Sequence, residues 1–69
     1  MWSQARPKLK PGDLVRVDFC DRTAVVLTHP RPVIMNGDDL QYRVSIRWQD
    51  GTISNQYNTE YLEMIRAAG

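Results

Sequence analysis

The chain has one cysteine, Cys20, and one histidine, His29. A single cysteine forms no intramolecular disulfide, and one residue of each kind cannot build a Cys/His zinc cluster within one chain. The compartment expected from this is a reducing one, the cytoplasm. No stretch approaches the roughly 20 apolar residues of a membrane helix, so nothing directs the chain to a membrane. Glycine-rich phosphate loops and nucleophile elbows are also missing, as are polar low-complexity tracts and internal repeats. What remains is a 69-residue chain, 42% hydrophobic, which is a single small domain with a thin core.

Charge is unevenly placed. Net charge is +1, but Arg6, Lys8 and Lys10 all precede the first turn, and residues 13–69 hold six basic against eight acidic residues. A basic N-terminal arm, residues 1–10, therefore precedes a mildly acidic body, residues 11–65, with 66–69 as a C-terminal tail expected to fray.

The body reads as strands. Pro11-Gly12-Asp13 is a turn, and Leu14 to Phe19 alternates with Val15, Val17 and Phe19 on one side. After a reversal at Asp21-Arg22, Thr23 to Thr28 is nearly continuously apolar and β-branched, which suits a strand covered on both faces or bent across a barrel. Tyr42 to Gln49 alternates cleanly, with Tyr42, Val44, Ile46 and Trp48 on one face and Arg43, Ser45, Arg47 and Gln49 on the other. Asp50-Gly51 predicts a two-residue type I′ hairpin returning through Thr52 to Tyr57. Asn58 predicts the cap of one helical turn, and Leu62 to Ile65 a last short strand. The predicted fold is an all-β, five-stranded barrel with a short helical turn before the last strand, because closure protects edges that so short a chain cannot cover.

Between the second and third of these strands lies HPRPVIMNGDD, residues 29–39. Alternating prolines end the second strand and favour an extended loop. Val33-Ile34-Met35 then has two readings: an edge strand closed by Asn36-Gly37 that covers the open end of the barrel, or an exposed segment that meets a partner. A loop of about 12 residues is long for a compact domain, a length associated with binding.

Catalysis is not expected. Cys20 and His29 form the only Cys-His pair, and a reversal at Asp21-Arg22 puts Cys20 opposite Thr23 with His29 about 20 Å away at roughly 3.4 Å per residue. Asp38-Asp39, and Asp18 with Asp21, sit at turns, where aspartates serve the turn itself. No metal site, cofactor or reaction centre is predicted.

The runs Val44-Ser45-Ile46-Arg47-Trp48-Gln49-Asp50-Gly51-Thr52 and Tyr61-Leu62-Glu63-Met64-Ile65, after the opening Pro11-Gly12-Asp13-Leu14-Val15-Arg16-Val17, resemble the SH3-like barrel over residues 11–65, and more narrowly small uncharacterised proteins of tailed bacteriophages. That resemblance implies a small cytoplasmic or virion protein, and a fold that hosts many functions. Tudor-type barrels, more distantly similar, imply an aromatic cage from Tyr42, Trp48, Tyr57 and Tyr61, although Tyr42 and Trp48 share the core parity of Val44 and Ile46. KOW-like barrels imply RNA or ribosomal partners, but their basic loops are missing here. Plasmid-type dihydrofolate reductases imply a pore of four chains built on a Val-Gln-Ile-Tyr run. Here Ser54-Asn55-Gln56-Tyr57 has no residue between Gln and Tyr, so by simple alternation those side chains point apart.

The expected function is a non-enzymatic interaction module that contacts a protein partner or a second copy of itself. The residues expected to do so are Trp2, Arg31, Val33, Ile34, Met35 and Tyr57. The alternative is a nucleic-acid-binding accessory protein using Arg6, Lys8, Lys10, Arg43 and Arg47, with Trp2 stacking on a base. A third, remote alternative is an enzyme active only as a homo-oligomeric pore.

Overall fold

A computed structural model of the chain describes residues 7–18 and 20–68. Trp2 and Arg6, named above as contact residues, and Phe19, assigned to the first strand, lie outside the described residues. The fold is all-β, a curled antiparallel half-barrel of six strands and one 3-10 turn: β1 Leu14–Val17, β2 Arg22–Val26, β3 Arg31–Met35, β4 Asp39–Trp48, β5 Ile53–Asn58, the turn Thr59–Tyr61, and β6 Leu62–Arg66. Neighbours run β3-β4-β2-β1-β6, with β5 on β4. The sixth strand arises because, of the two readings of Val33-Ile34-Met35, the edge strand is the one observed: residues 31–35 pair with β4.

Alternation positions the core. Val15 and Val17 of β1, Ala24 and Val26 of β2, and Val44 and Ile46 of β4 are all buried, with Leu9, Trp48, Tyr57 and Leu62 packed against them. Among the described residues these six small or medium apolar side chains form the thin core that the length implied. Leu9 belongs to the stretch read as a free arm, so the chain is anchored by that point.

Two turns differ from expectation. The β1–β2 connection is Asp18 to Asp21, with Val17 opposite Arg22 and the Asp21 N–H donating to the Val17 carbonyl at 3.1 Å. Cys20 is therefore exposed in the turn, and Thr23 pairs with Arg16 instead. The β4–β5 connection is not type I′, which requires positive φ at both central residues. Gly51 has φ 92 while Asp50 is not left-handed. The Gly51 N–H donates to the Trp48 carbonyl at 3.0 Å and the Trp48 N–H to Thr52 at 2.8 Å, which is a three-residue loop with glycine in the left-handed position. Asp50 holds it by accepting from the Thr52 N–H at 2.9 Å and hydroxyl at 2.6 Å.

The chain ends are tied together. Asp13, fully buried, accepts from the Lys10 N–H at 3.0 Å and from the Ala68 N–H at 2.6 Å. Arg66 is in β6 and Ala68 is bound to Asp13, so the tail expected to fray is held at least to residue 68. The helical turn is as expected: Asn58 Oδ1 accepts from the Glu60 N–H at 3.0 Å.

Candidate binding surfaces of the long hairpin

β2 and β3 run along the same edge of β4, as one strand interrupted at residues 27–30. Between the pairs Val26↔Ile46 and Arg31↔Arg43, four residues on one side oppose two on the other. Two extra residues leave the alternation in phase, whereas one would turn every later side chain to the opposite face. At this bulge the Leu27 N–H donates to the Ser45 carbonyl at 2.8 Å, and the Thr28 hydroxyl accepts from the Ser45 N–H at 3.0 Å. Thr28 thus replaces the missing backbone acceptor. Pro30 is buried there and has no N–H to leave unpaired.

Since Ser45 directs both its backbone groups to the β2 side, the odd residues of β4 bond that edge, and Arg31, Val33 and Met35 bond back to them. Pro32 and Ile34 then face the free edge, where the missing N–H of proline costs nothing and removes a donor from the edge. The hairpin carries β3 and the first half of β4 beyond the core, and the molecule measures 36 × 23 × 19 Å along its principal axes.

The two faces of this extension differ. On the core side lie Pro32 opposite Tyr42 and Ile34 opposite Leu40. Ile34 is 59% exposed, because the core ends before it. On the outer side Arg31 is directly opposite Arg43, Val33 opposite Gln41, and Met35 opposite Asp39.

At the base of the outer side is a groove of about 660 Å³, walled by the bulge at Thr28 to Pro30, floored by Arg31, Val33, Arg43 and Ser45, and closed on the far side by Asn55 and Gln56. A second bulge shapes that far side: Asn55 and Gln56 together oppose Ser45, and Gln56 adopts φ 57. Its carbonyl accepts from Arg43 Nη1 at 3.0 Å. Simple alternation thus fails at Gln56-Tyr57, and the orientation expected there from strand parity does not apply. Arg43 Nη2 donates to Gln41 Oε1, whose amide nitrogen donates to Asp39 at 3.2 Å. Arg43 Nε is buried without a partner.

No carboxylate lines this groove. The ion pairs among the described residues lie elsewhere: Arg16 with Asp21 at 3.7 Å and with Glu63, and Arg22 with Asp50 at 3.6 Å. Arg31, Arg43 and Arg47 are on one face of the sheet and none has a carboxylate partner there. Lys8 and Lys10, the described cations of the arm, are exposed.

Among the described residues Tyr42, Trp48, Tyr57 and Tyr61 do not line one cage. Tyr42 is six residues from Trp48 on the same strand, about 20 Å at roughly 3.4 Å per residue. Trp48 donates Nε1–H to Ser54 at 2.8 Å, stands edge-on to Tyr57 with centroids 5.9 Å apart, and carries the Arg22 guanidinium 4.9 Å over its ring. The cation on that ring is the chain's own. Tyr57, expected at a contact surface, is half-buried between Trp48 and Tyr61. Burial pushes its phenol pKa above the ordinary 10.0, helped by Cys20 and Tyr61 nearby. Cys20 and His29 sit at opposite ends of β2.

The sequence offered Arg31, Ile34, Arg43 and Arg47 as candidates but not their arrangement. Bulges leave little local signature, and Pro30 was the one sign that the second strand bends before resuming. Comparison of the chain with protein-family models, curated proteins and solved structures returns no match. Among the described residues no helix is long and apolar enough to cross a membrane.

Proposed function

We propose that this chain is a non-enzymatic interaction module on an SH3-like barrel, and that it docks a partner protein on the core-side face of its projecting hairpin. If β2 and β3 count as one bent strand, the pairings follow that barrel: first strand on second and last, a long second–third hairpin, and a 3-10 turn before the last strand. The exposed Ile34 beside Pro32, Leu40 and Tyr42 is the observation that supports the docking reading. The hairpin tip adds Asp38, with which no cation pairs among the described residues. Its complement is an apolar surface edged by lysine or arginine. A patch confined to half a hairpin is small beside the roughly 1,200 Å² of stable interfaces, so the complex expected is a transient one.

Selection of displayed random peptides against the protein tests this. The expected winners combine apolar and basic residues, shift amide resonances within 32–42, and lose affinity at least tenfold with Ile34→Ser. Winners that are acidic, that map elsewhere, or that ignore Ile34→Ser overturn it. A second copy as occupant would appear as concentration-dependent sedimentation abolished by the same substitution, and would also overturn the partner-protein reading.

A further inference from the structure

We infer that the outer groove at the base of the hairpin, with the strip from Arg31 and Arg43 to Arg47, is a phosphate-backbone site for single-stranded nucleic acid. This rests on the opposite face from the docking surface and on different residues. Arg31 and Arg43 are a directly opposed cross-strand pair. Like charges in that position repel, with Cα atoms about 5.5 Å apart in a hydrogen-bonded pair. The usual remedy is a carboxylate, and none lines the groove. Arg43 is held in place only by uncharged acceptors, the Gln56 carbonyl and the Gln41 amide, so its position is fixed while its charge stays unneutralised. Ser45 and Asn55, bonded to each other at 3.0 Å, add polar groups to the same wall. Among the described residues Asp21 and Glu63 pair with Arg16 and Asp50 with Arg22, Asp39 reaches Arg43 only through the Gln41 amide, and Arg31, Arg43 and Arg47 on this face pair with no carboxylate. A phosphate is the ligand that completes them.

The strip fits a strand better than a duplex. Arg43 and Arg47 are four residues apart on one face of β4, about 14 Å at roughly 3.4 Å per residue, and Arg31 stands beside Arg43 across the strand pair. Asp38 and Asp39 stand at the hairpin tip, and Asp21 and Glu63 beside Arg16 beyond the other flank. A wide, stiff duplex meets these carboxylates, whereas a narrow strand passes between them. The aromatics of β4, Tyr42 and Trp48, lie on the core side, so this face offers the bases no stacking platform. Backbone contact without base contact positions a strand but does not read its sequence.

The test is fluorescence anisotropy of a labelled oligothymidylate against the full chain over a salt titration. Three neutralised phosphates give a log–log salt slope of about −2, or about a 20-fold loss of affinity between roughly 50 and 200 mM salt. Arg31→Gln with Arg43→Gln should leave a loss of only about 3-fold, since one contact remains. Arg16→Gln, whose charge is already paired, should leave the slope unchanged, as should Ile34→Ser, which separates this site from the docking face. Circular dichroism checks that each variant folds. The inference is overturned by absence of binding, by a slope that moves only with Lys8→Gln and Lys10→Gln, by equal or tighter binding of a duplex, or by thymidine monophosphate competing as well as the oligonucleotide per phosphate.

Discussion

Replacing Asp13 by alanine is the sharpest stability experiment. The side chain is fully buried and accepts two backbone N–H groups, from Lys10 and from Ala68, 55 residues apart in sequence in the second case. Its own backbone also belongs to the fold, with its carbonyl accepting from the Val26 N–H at 2.9 Å. That bond survives truncation to alanine, so the substitution isolates the carboxylate. Hydrogen bonds to a charged group are worth about 1.5–3 kcal/mol each. The two donors lie near the surface and recover part of this from water, which leaves a cost of about 3 kcal/mol. A small domain with a total stability of roughly 5 kcal/mol has little more to lose. The melting temperature should fall by about 15 °C. Ala68→Pro removes only the donor at the C-terminal end and should cost about half as much, and in the Asp13→Ala background almost nothing further. Urea titration followed by tryptophan fluorescence reads all four corners of the cycle. A cost below about 0.5 kcal/mol for Asp13→Ala, or additive losses in the double variant, would refute the idea that this carboxylate ties the chain ends.

Three further outcomes are expected. Ile46→Ala should cost about 2–5 kcal/mol by urea midpoint, because the residue is fully buried in a core with little else to fill the space. Hydrogen bonds from Thr52, with Arg22 nearby, hold the Asp50 carboxyl below its ordinary 3.8. A lowered folded pKa stabilises the fold above the unfolded value, and that contribution disappears as pH falls through the folded one, so the midpoint difference between wild type and Asp50→Asn should shrink as pH drops below about 3.8. Partial burial holds the Tyr57 phenol pKa above 10.0. Its neutral form is favoured by folding, so stability declines as pH rises past that value, and Tyr57→Phe should remove a late-titrating component from the ultraviolet titration.

Strand parity was legible because the solvent sorts it. Val15, Val17, Val44 and Ile46 were assigned to one face from period-two alternation, and they form the buried core. The Asn58 cap was legible for a similar reason, since its side chain bonds a backbone group two residues away. Features that depend on partners distant in sequence were not. Asp13 reads locally as part of a Pro-Gly-Asp turn, and only the folded chain brings Ala68 to it. The Asp50-Gly51 loop was assigned the wrong type because the dipeptide suits both two-residue and three-residue loops. What decides between them is the register, Trp48 bonding Thr52, which local composition does not encode. The opposition of Arg31 and Arg43 likewise needs the number of bulged residues at 27–30, where one more or one fewer would place Arg31 on the other face.

That number also links the two proposed surfaces. With two extra residues, the phase of β2 carries through the bulge, so β3 presents its arginine beside Arg43 and its isoleucine beyond the core. Deleting His29 alone would shift β3 by one residue against β4 and exchange its faces, turning Arg31 toward the apolar side and Ile34 toward the groove. Deleting two residues of the bulge would keep the faces but take away the wall formed by Thr28 to Pro30. The single deletion should therefore impair peptide docking and strand binding together, whereas the double deletion should spare docking and weaken only the groove. If the single deletion left both activities intact, β3 would not hold the register on which either surface depends.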